Sequence, residues 1–376
     1  MFLTWGGGRD KLLQSPTSNS SFMAGIYVVL YQCSSPVMTI QTLDSWDTEY
    51  SADTVEWCPT SGCLDILAVG TYQVDQSAQE TFSGSQRRGR IYIHQLEDHK
   101  LVLKSQLETA AILDMRWHPR SESSLLAVVD ALGFVTLFEL DDSLALVVLH
   151  KLPVTKDEAL ALSLEWNCRK DGTRAEDLIA ISDSKGSISI ARVNSNRSLE
   201  LIESRKSHDY EAWICAFNAW DSNVFYSGGD DAVLLGHDIR SPEPIFKCRE
   251  HGAGVTSLLS DLHREHCLLS GSYDESIYTW DSRNMKQSRD SLNLGGGVWR
   301  IKQKATLADI YVTACMSNGF ALVQQIESQL KVLDRYEEHT SLAYGVDFQV
   351  GPTSADLLAT CSFYDHSLKL WTWKKS

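Results

Sequence analysis

The amino-acid sequence predicts an all-β protein, a seven-bladed β-propeller, and three observations predict it. A short alternating strand ending in an aromatic or large apolar residue recurs seven times along the 376 residues. Each copy is followed by two further runs of small and β-branched residues, and a spare strand-like run precedes the first copy. The copies lie about 42 to 60 residues apart, the period of a propeller blade with variable loops.

The first strands read "DTVEW" (53–57), "ILDMRW" (112–117), "LSLEW" (162–166), "AWICAF" (212–217), "GVTSLL" (254–259), "VWRIK" (298–302) and "YGVDF" (344–348). The second runs are "LAVGTY" (67–72), "LAVVDA" (126–131), "IAISDS" (179–184), "VFYSGGDD" (224–231), "LLSGSYDE" (268–275), "YVTACMSN" (311–318) and "LLATCSFYD" (357–365). The third return as "RIYIHQL", "FVTLFEL", "SISIARV", "AVLLGHD", "SIYTWD", "FALVQQI" and "SLKLWTW". Three strands and a turn per unit, seven times over, describe a propeller. The last unit runs out of chain after "LKLWTWKK", so "VMTIQTL" (37–43) is expected to supply its outer strand and cover the open edge.

The propeller therefore spans 37–376, and residues 1–36, with "GGGRDK" and "SPTSNSS", are expected to form a poorly ordered extension. Its apolar run "FMAGIYVVLY" (22–31) is about half a membrane span and lacks the flanks of a secretory signal. No membrane association is expected. Met23 offers an alternative start.

The better-preserved copies carry a His before the unit (His208, His251, His339), an Asp at the second hairpin (Asp230, Asp274, Asp365) and a Trp on the third strand (Trp280, Trp371). These are the residues of WD repeats, in which the Asp accepts from its own hairpin and from the His, and the His extends the network to the Trp strand. A buried carboxylate persists only when so bonded. Asp274, Trp280 and Asp281 accordingly read as scaffold. His237 stands where the fourth copy should have Trp, and its network is expected to be weakened.

A formal charge of −15, with "QRRGR" (86–90) as the densest basic spot, argues against nucleic acid and for a cationic partner. The nine cysteines fall mostly inside apolar runs, as Cys215 and Cys361 do, which fits buried thiols in a reducing cytoplasm. Cys58 and Cys63 are close, yet no second pair completes a zinc site. There is no serine elbow, P-loop, H-E-x-x-H or dinucleotide turn, so no cofactor is expected. "HREH" (263–266) falls in a loop and reads as solvated, so no metal is expected either. The chain is expected to be a monomer.

Loops entering the first strands and hairpins joining the second and third converge on one mouth of the channel. There the sequence places "TYQ" (71–73), "DYEAW" (209–213), "GGDD" (228–231), "SYDE" (272–275), "GGGVWR" (295–300), "LAYG" (342–345) and "FYDH" (363–366). Aromatic faces interleaved with carboxylates suit a cation, above all a quaternary ammonium. Two readings stand: Trp213 and Trp299 wall a cage, or they plug the channel.

Several stretches exceed what the repeat requires: "SADTVEWCP", "YEAWICAFNAW", "YSGGDDAVLLGHDIR", "GSYDESIYTWDSRNMKQ", "GGGVWRIK" and "LLATCSFYDHSLKLW". Together they resemble the diphthine methyl ester hydrolase family of WD-repeat proteins, over roughly residues 37–373. The resemblance implies an ester hydrolase that removes one methyl from a modified histidine of elongation factor 2 before amidation to diphthamide. That substrate would carry a trimethylammonium and a methyl ester. The resemblance also favours the cage, with Trp213, Trp299, Tyr273 and Tyr364 as walls and Glu211 as countercharge. An activated water is the expected nucleophile, with His366 as base, oriented by Asp230 or Asp231, and Arg300 facing the oxyanion. Cys361 is the rival nucleophile. A non-catalytic adaptor presenting elongation factor 2 to the amidating enzyme is the competing reading, because fold does not fix function.

Overall fold

A computed structural model describes residues 38–74, 87–167, 177–304, 306–351 and 356–375. The expectations for residues 1–37 lie outside them. The described residues form seven four-stranded antiparallel sheets, as the repeats predict. The inner strands are Ser51–Trp57, Ile112–Trp117, Ala161–Trp166, Ile214–Phe217, Val255–Ser260, Arg300–Gln303 and Ala343–Phe348, in blades one to seven. Each inner strand neighbours the next, and that of blade seven returns to blade one, so the sheets close a ring.

Blade seven takes its outer strand from the N-terminal side. Met38–Asp47 pairs antiparallel with Ser367–Lys375, Met38 opposite Lys375 and Asp47 opposite Ser367. This pairing covers the edge that the C-terminal strand would otherwise leave bare.

The core lies between blades rather than within them. Val129 and Leu137 of blade two, for instance, share a buried cluster with Leu164 and Ile179 of blade three. Two glycines set a close approach between blades: a Cβ on Gly228 or Gly271 would come within 2.5 Å of Cγ1 of Val255, on the next inner strand, or of Val298, just before it. Only a residue without a side chain fits there.

The polar networks follow the repeat with one change. In blade five Asp274 accepts from the backbone N–H groups of Gly252 (2.8 Å) and Ser276 (3.0 Å) and from the Tyr278 hydroxyl (2.9 Å). His251 Nε2 and Trp280 Nε1 both meet the Ser270 hydroxyl, at 2.8 and 2.7 Å. Blade seven repeats this with His339, Thr360 and Trp371. In both blades the Asp bonds the backbone beside the His rather than its ring. Asp281, also read as scaffold, pairs instead with Arg283 and Arg289 at the surface.

Blade four corrects two expectations. The hairpin acid there is Asp231, not Asp230: Asp231 meets His208 Nδ1 at 3.0 Å and accepts from the N–H groups of Asp209 and Val233. Nor is the network weakened by His237, whose Nε2 meets the Ser227 hydroxyl at 2.8 Å while that hydroxyl meets His208 Nε2 at 2.8 Å. The imidazole replaces the indole because its ring stacks on Phe225 at 4.6 Å and reaches the same hydroxyl.

Candidate functional site

The inner strands line the channel in a common register. Pairing with the second strand skips one residue in blades one, two, three, five and seven, at Asp53, Leu113, Leu162, Thr256 and Tyr344. In blades four and six the equivalent residues, Trp213 and Trp299, immediately precede the paired strand. A bulge frees its residue from the ladder and re-aims the side chain. These seven residues form the tier of the channel nearest the mouth.

Beneath that tier the channel is crossed by ion pairs. Arg300 Nη1 of blade six meets Asp114 Oδ1 of blade two at 3.0 Å, and Arg116 Nη1 meets the same oxygen at 3.2 Å. Ser163 Oγ donates to Asp114 Oδ2 at 3.0 Å. Glu56 pairs with both Arg116 and Lys302, and Lys302 also approaches Asp347 at 3.6 Å. Burial opposes ionisation of Asp114, yet Arg116 and Arg300 together hold its carboxyl below the usual range. Burial instead pushes Glu165 up, and Asp347 up to about 6. Five carboxyls, with Asp53, thus share three cations, an acidic surplus fixed inside the ring.

At the mouth the aromatic residues touch in series. Trp213 meets Tyr273 and Trp299 with ring centroids 6.1 and 5.7 Å apart, and Trp299 meets Tyr273 at 6.0 Å and Tyr344 at 4.9 Å. Tyr344 continues to Phe363 at 4.9 Å, and Phe363 to Tyr72 at 6.1 Å and Tyr364 at 5.0 Å. The arc draws on blades four, five, six, seven and one. Most of its pairs are tilted or edge-on, so several ring faces stay available to a ligand. Trp213, Tyr273, Trp299 and Tyr344 are only partly buried. Burial, then the charges of Asp230 and Glu211, push the Tyr273 hydroxyl up, placing both acids beside the arc.

The predicted residues divide. Trp213, Tyr273 and Trp299 come together as expected, with Glu211 close by. Tyr364 joins only at the end of the arc, touching Phe363 and 70% exposed. Asp230 accepts from Trp213 Nε1 at 3.0 Å and so orients that indole. His366 sits on the hairpin of blade seven at φ 53°, its carbonyl accepting from Thr48. Asp230 and Asp231 belong to blade four, so neither orients His366. Arg300 is buried under the mouth and committed to Asp114, which takes it away from any oxyanion at the surface. Cys361 is fully buried, and burial pushes its thiol far above the usual range, which fits packing rather than attack.

Asp53, Tyr72, Tyr344 and Phe363 were not singled out by the sequence reading. Three of them lie in stretches assigned to the mouth, and the signal is that every such stretch but "GGDD" carries an aromatic. For Asp53 the signal is subtler: an acid stands where the other first strands place an aromatic, an aliphatic or Thr256.

Against known proteins, residues 242–281 match the model of the WD domain, G-beta repeat. The chain is similar to the diphthine methyltransferase of Homo sapiens, 38% identical over 81% of this chain and 74% of that protein. It is also similar to the diphthine methyltransferase of Schizosaccharomyces pombe, 32% identical over 85% of this chain and 96% of that protein. Among solved structures, a chain of the crystal structure of the mitotic checkpoint complex superposes with a TM-score of 0.68 over 96% of this chain and 98% of that one, at 16% identity. That likeness concerns the fold alone. The relatives' name overturns the ester-hydrolase expectation: a methyltransferase adds the methyl group that an ester hydrolase would remove.

Proposed function

Because the chain belongs to the diphthine methyltransferase family, we propose that it serves the methylation stage of diphthamide formation and that its mouth receives the modified histidine of elongation factor 2. The observation that carries the reading is the unbroken aromatic arc from Trp213 through Trp299 and Tyr344 to Phe363. A quaternary ammonium donates no hydrogen bond, so its recognition rests on aromatic faces and nearby negative charge. The arc offers the faces, and Asp230 and Glu211 stand beside it. The net charge of −15 adds a long-range field that draws a cationic group in.

The propeller form suits a side chain presented by a large protein. A modified histidine projecting from a loop enters the mouth axially, while the blade hairpins contact the surrounding surface. The ion pairs below close the channel, so the ligand is gripped at the mouth and does not pass through.

The test incubates the purified protein with elongation factor 2 carrying diphthine precursors, with and without a methyl donor, and follows the modified peptide by mass spectrometry. Wild type is expected to bind the modified factor over the unmodified one and to change it by one methyl group. Trp299→Ala is expected to lose both. Equal binding to modified and unmodified factor, with no methyl change, would overturn the reading.

A further inference from the structure

Asp53 is the one acidic residue of the mouth tier; its counterparts are Leu113, Leu162, Trp213, Thr256, Trp299 and Tyr344. Thr256 turns its hydroxyl into the blade, donating to the Val298 carbonyl at 2.7 Å. Asp53 is only 5% exposed, and its Oδ1 has no hydrogen-bond partner in the protein. Buried carboxyl oxygens are nearly always bonded, and one left without a protein partner calls for an explanation.

Its neighbours come from every side of the tier. Arg300 and Asp114 lie beneath it, and Tyr344 of blade seven, Tyr72 of blade one and the buried Cys361 lie within electrostatic reach of its carboxyl. Arg300 hydrogen-bonds Asp114, and Asp53 Oδ1 is left without a partner. Tyr344 and Tyr72 place the acid under the Tyr344, Phe363 and Tyr72 end of the arc.

We propose that Asp53 is a positioning residue that bonds the carboxyl end of a ligand whose quaternary ammonium lies against the arc, so that the mouth selects a betaine-like head group over a simple cation. This rests on the aromatic mouth being the binding site. Burial pushes the Asp53 carboxyl well above its ordinary range, against the pull of Arg300, which favours the protonated form that can donate. A protonated acid donating to a carboxylate makes a short, strong hydrogen bond. An ionised Asp53 would instead repel the carboxylate and favour the bare cation.

The experiment titrates wild type, Asp53→Asn and Asp53→Ala with glycine betaine and with tetramethylammonium, by calorimetry and tryptophan fluorescence near neutral pH, after confirming each fold by thermal melting. Wild type is expected to bind glycine betaine about tenfold tighter than tetramethylammonium, the scale of one hydrogen bond to a charged group. Asp53→Ala is expected to abolish that preference without changing tetramethylammonium affinity, and Asp53→Asn, whose amide still donates, to keep most of it. Equal affinity of wild type for the two probes, or a preference that survives in Asp53→Ala, overturns the role of Asp53 while leaving the mouth as a cation site. Failure of both probes to bind overturns the site itself and this inference with it.

Discussion

Arg300 and Asp114 lie 186 residues apart in sequence and meet at 3.0 Å across the channel, joining blade six to blade two. Both are buried, at 6% and 0% exposure. A buried charge left with no partner costs about 3 to 5 kcal/mol, but Asp114 keeps Arg116 and the Ser163 hydroxyl when Arg300 is removed. Arg300→Ala is therefore expected to lower stability by less than that full penalty, about 1 to 3 kcal/mol in urea unfolding. Replacing both residues with Met and Leu should recover most of the loss. Unchanged stability in Arg300→Ala would mean the guanidinium is not needed to satisfy Asp114.

Asp230 and Asp231 are adjacent yet do different work. Asp231 bonds His208 and two backbone N–H groups, whereas Asp230 accepts from Trp213 Nε1 at the mouth. Asp231→Ala is expected to cost about 1 to 3 kcal/mol in chemical denaturation. Asp230→Ala should leave the melting temperature nearly unchanged and weaken binding of tetramethylammonium severalfold by freeing the indole. Equal stability losses in the two variants would contradict this division.

The propeller was legible in the sequence because its signals are local: period-two strands, a repeated spacing and a spare strand before the first copy. The aromatic half of the mouth was legible too, since "EAW", "SYDE" and "GGVW" carry their rings in loops with nothing else to bury. What joins distant blades was not. Nothing in "ILDMRW" or "VWRIK" says that Asp114 will reach Arg300, because that contact exists only once the ring closes. Neither does "GGDD" say which acid caps the hairpin; the positive φ of Ala232, 59°, sets the turn so that Asp231 faces His208. And Asp53 becomes visible only when the seven first strands are laid in one register.

The buried histidines predict how the fold responds to acid. Burial lowers His237 from 6.5 to about 3, and His94, His251 and His339 from 6.5 to about 4. The unfolded chain therefore binds protons that the folded chain refuses between those values, so stability rises with pH across that window and is lost as pH falls through it. Asp231 and Asp365, held below 3.8 in the folded protein, add a second loss at still lower pH. Melting temperature is expected to fall as pH drops from about 6.5 toward 4. His94→Gln should flatten that dependence, and a flat profile in wild type would show that these rings are not held neutral.

Trp299 contacts Trp213, Tyr273 and Tyr344, so it is the hub of the arc. Tyr364 touches only Phe363 within it and is largely exposed. Trp299→Ala is expected to weaken tetramethylammonium binding about tenfold, the scale of a desolvated cation–π contact, with Trp299→Phe intermediate. Tyr364→Ala should change binding less than twofold. Calorimetry distinguishes them, and equal losses would shift the site toward the hairpin of blade seven.

Asp53 offers a test in which function and stability pull apart. Its folded carboxyl titrates well above 3.8, so between those values the folded state holds a proton that the unfolded chain has released. Stability on that account declines as pH rises through the window, and at neutral pH the group destabilises the fold. Leu113 and Leu162 show that leucine fits the same place in blades two and three. Asp53→Leu is therefore expected to raise stability by about 1 to 3 kcal/mol at neutral pH, by removing a buried polar atom with no protein partner. A gain in stability together with loss of the glycine betaine preference would be the trade-off expected of a ligand-binding residue. A less stable Asp53→Leu would show instead that the carboxylate supports Arg300, and Asp53 would then belong to the ion-pair layer below.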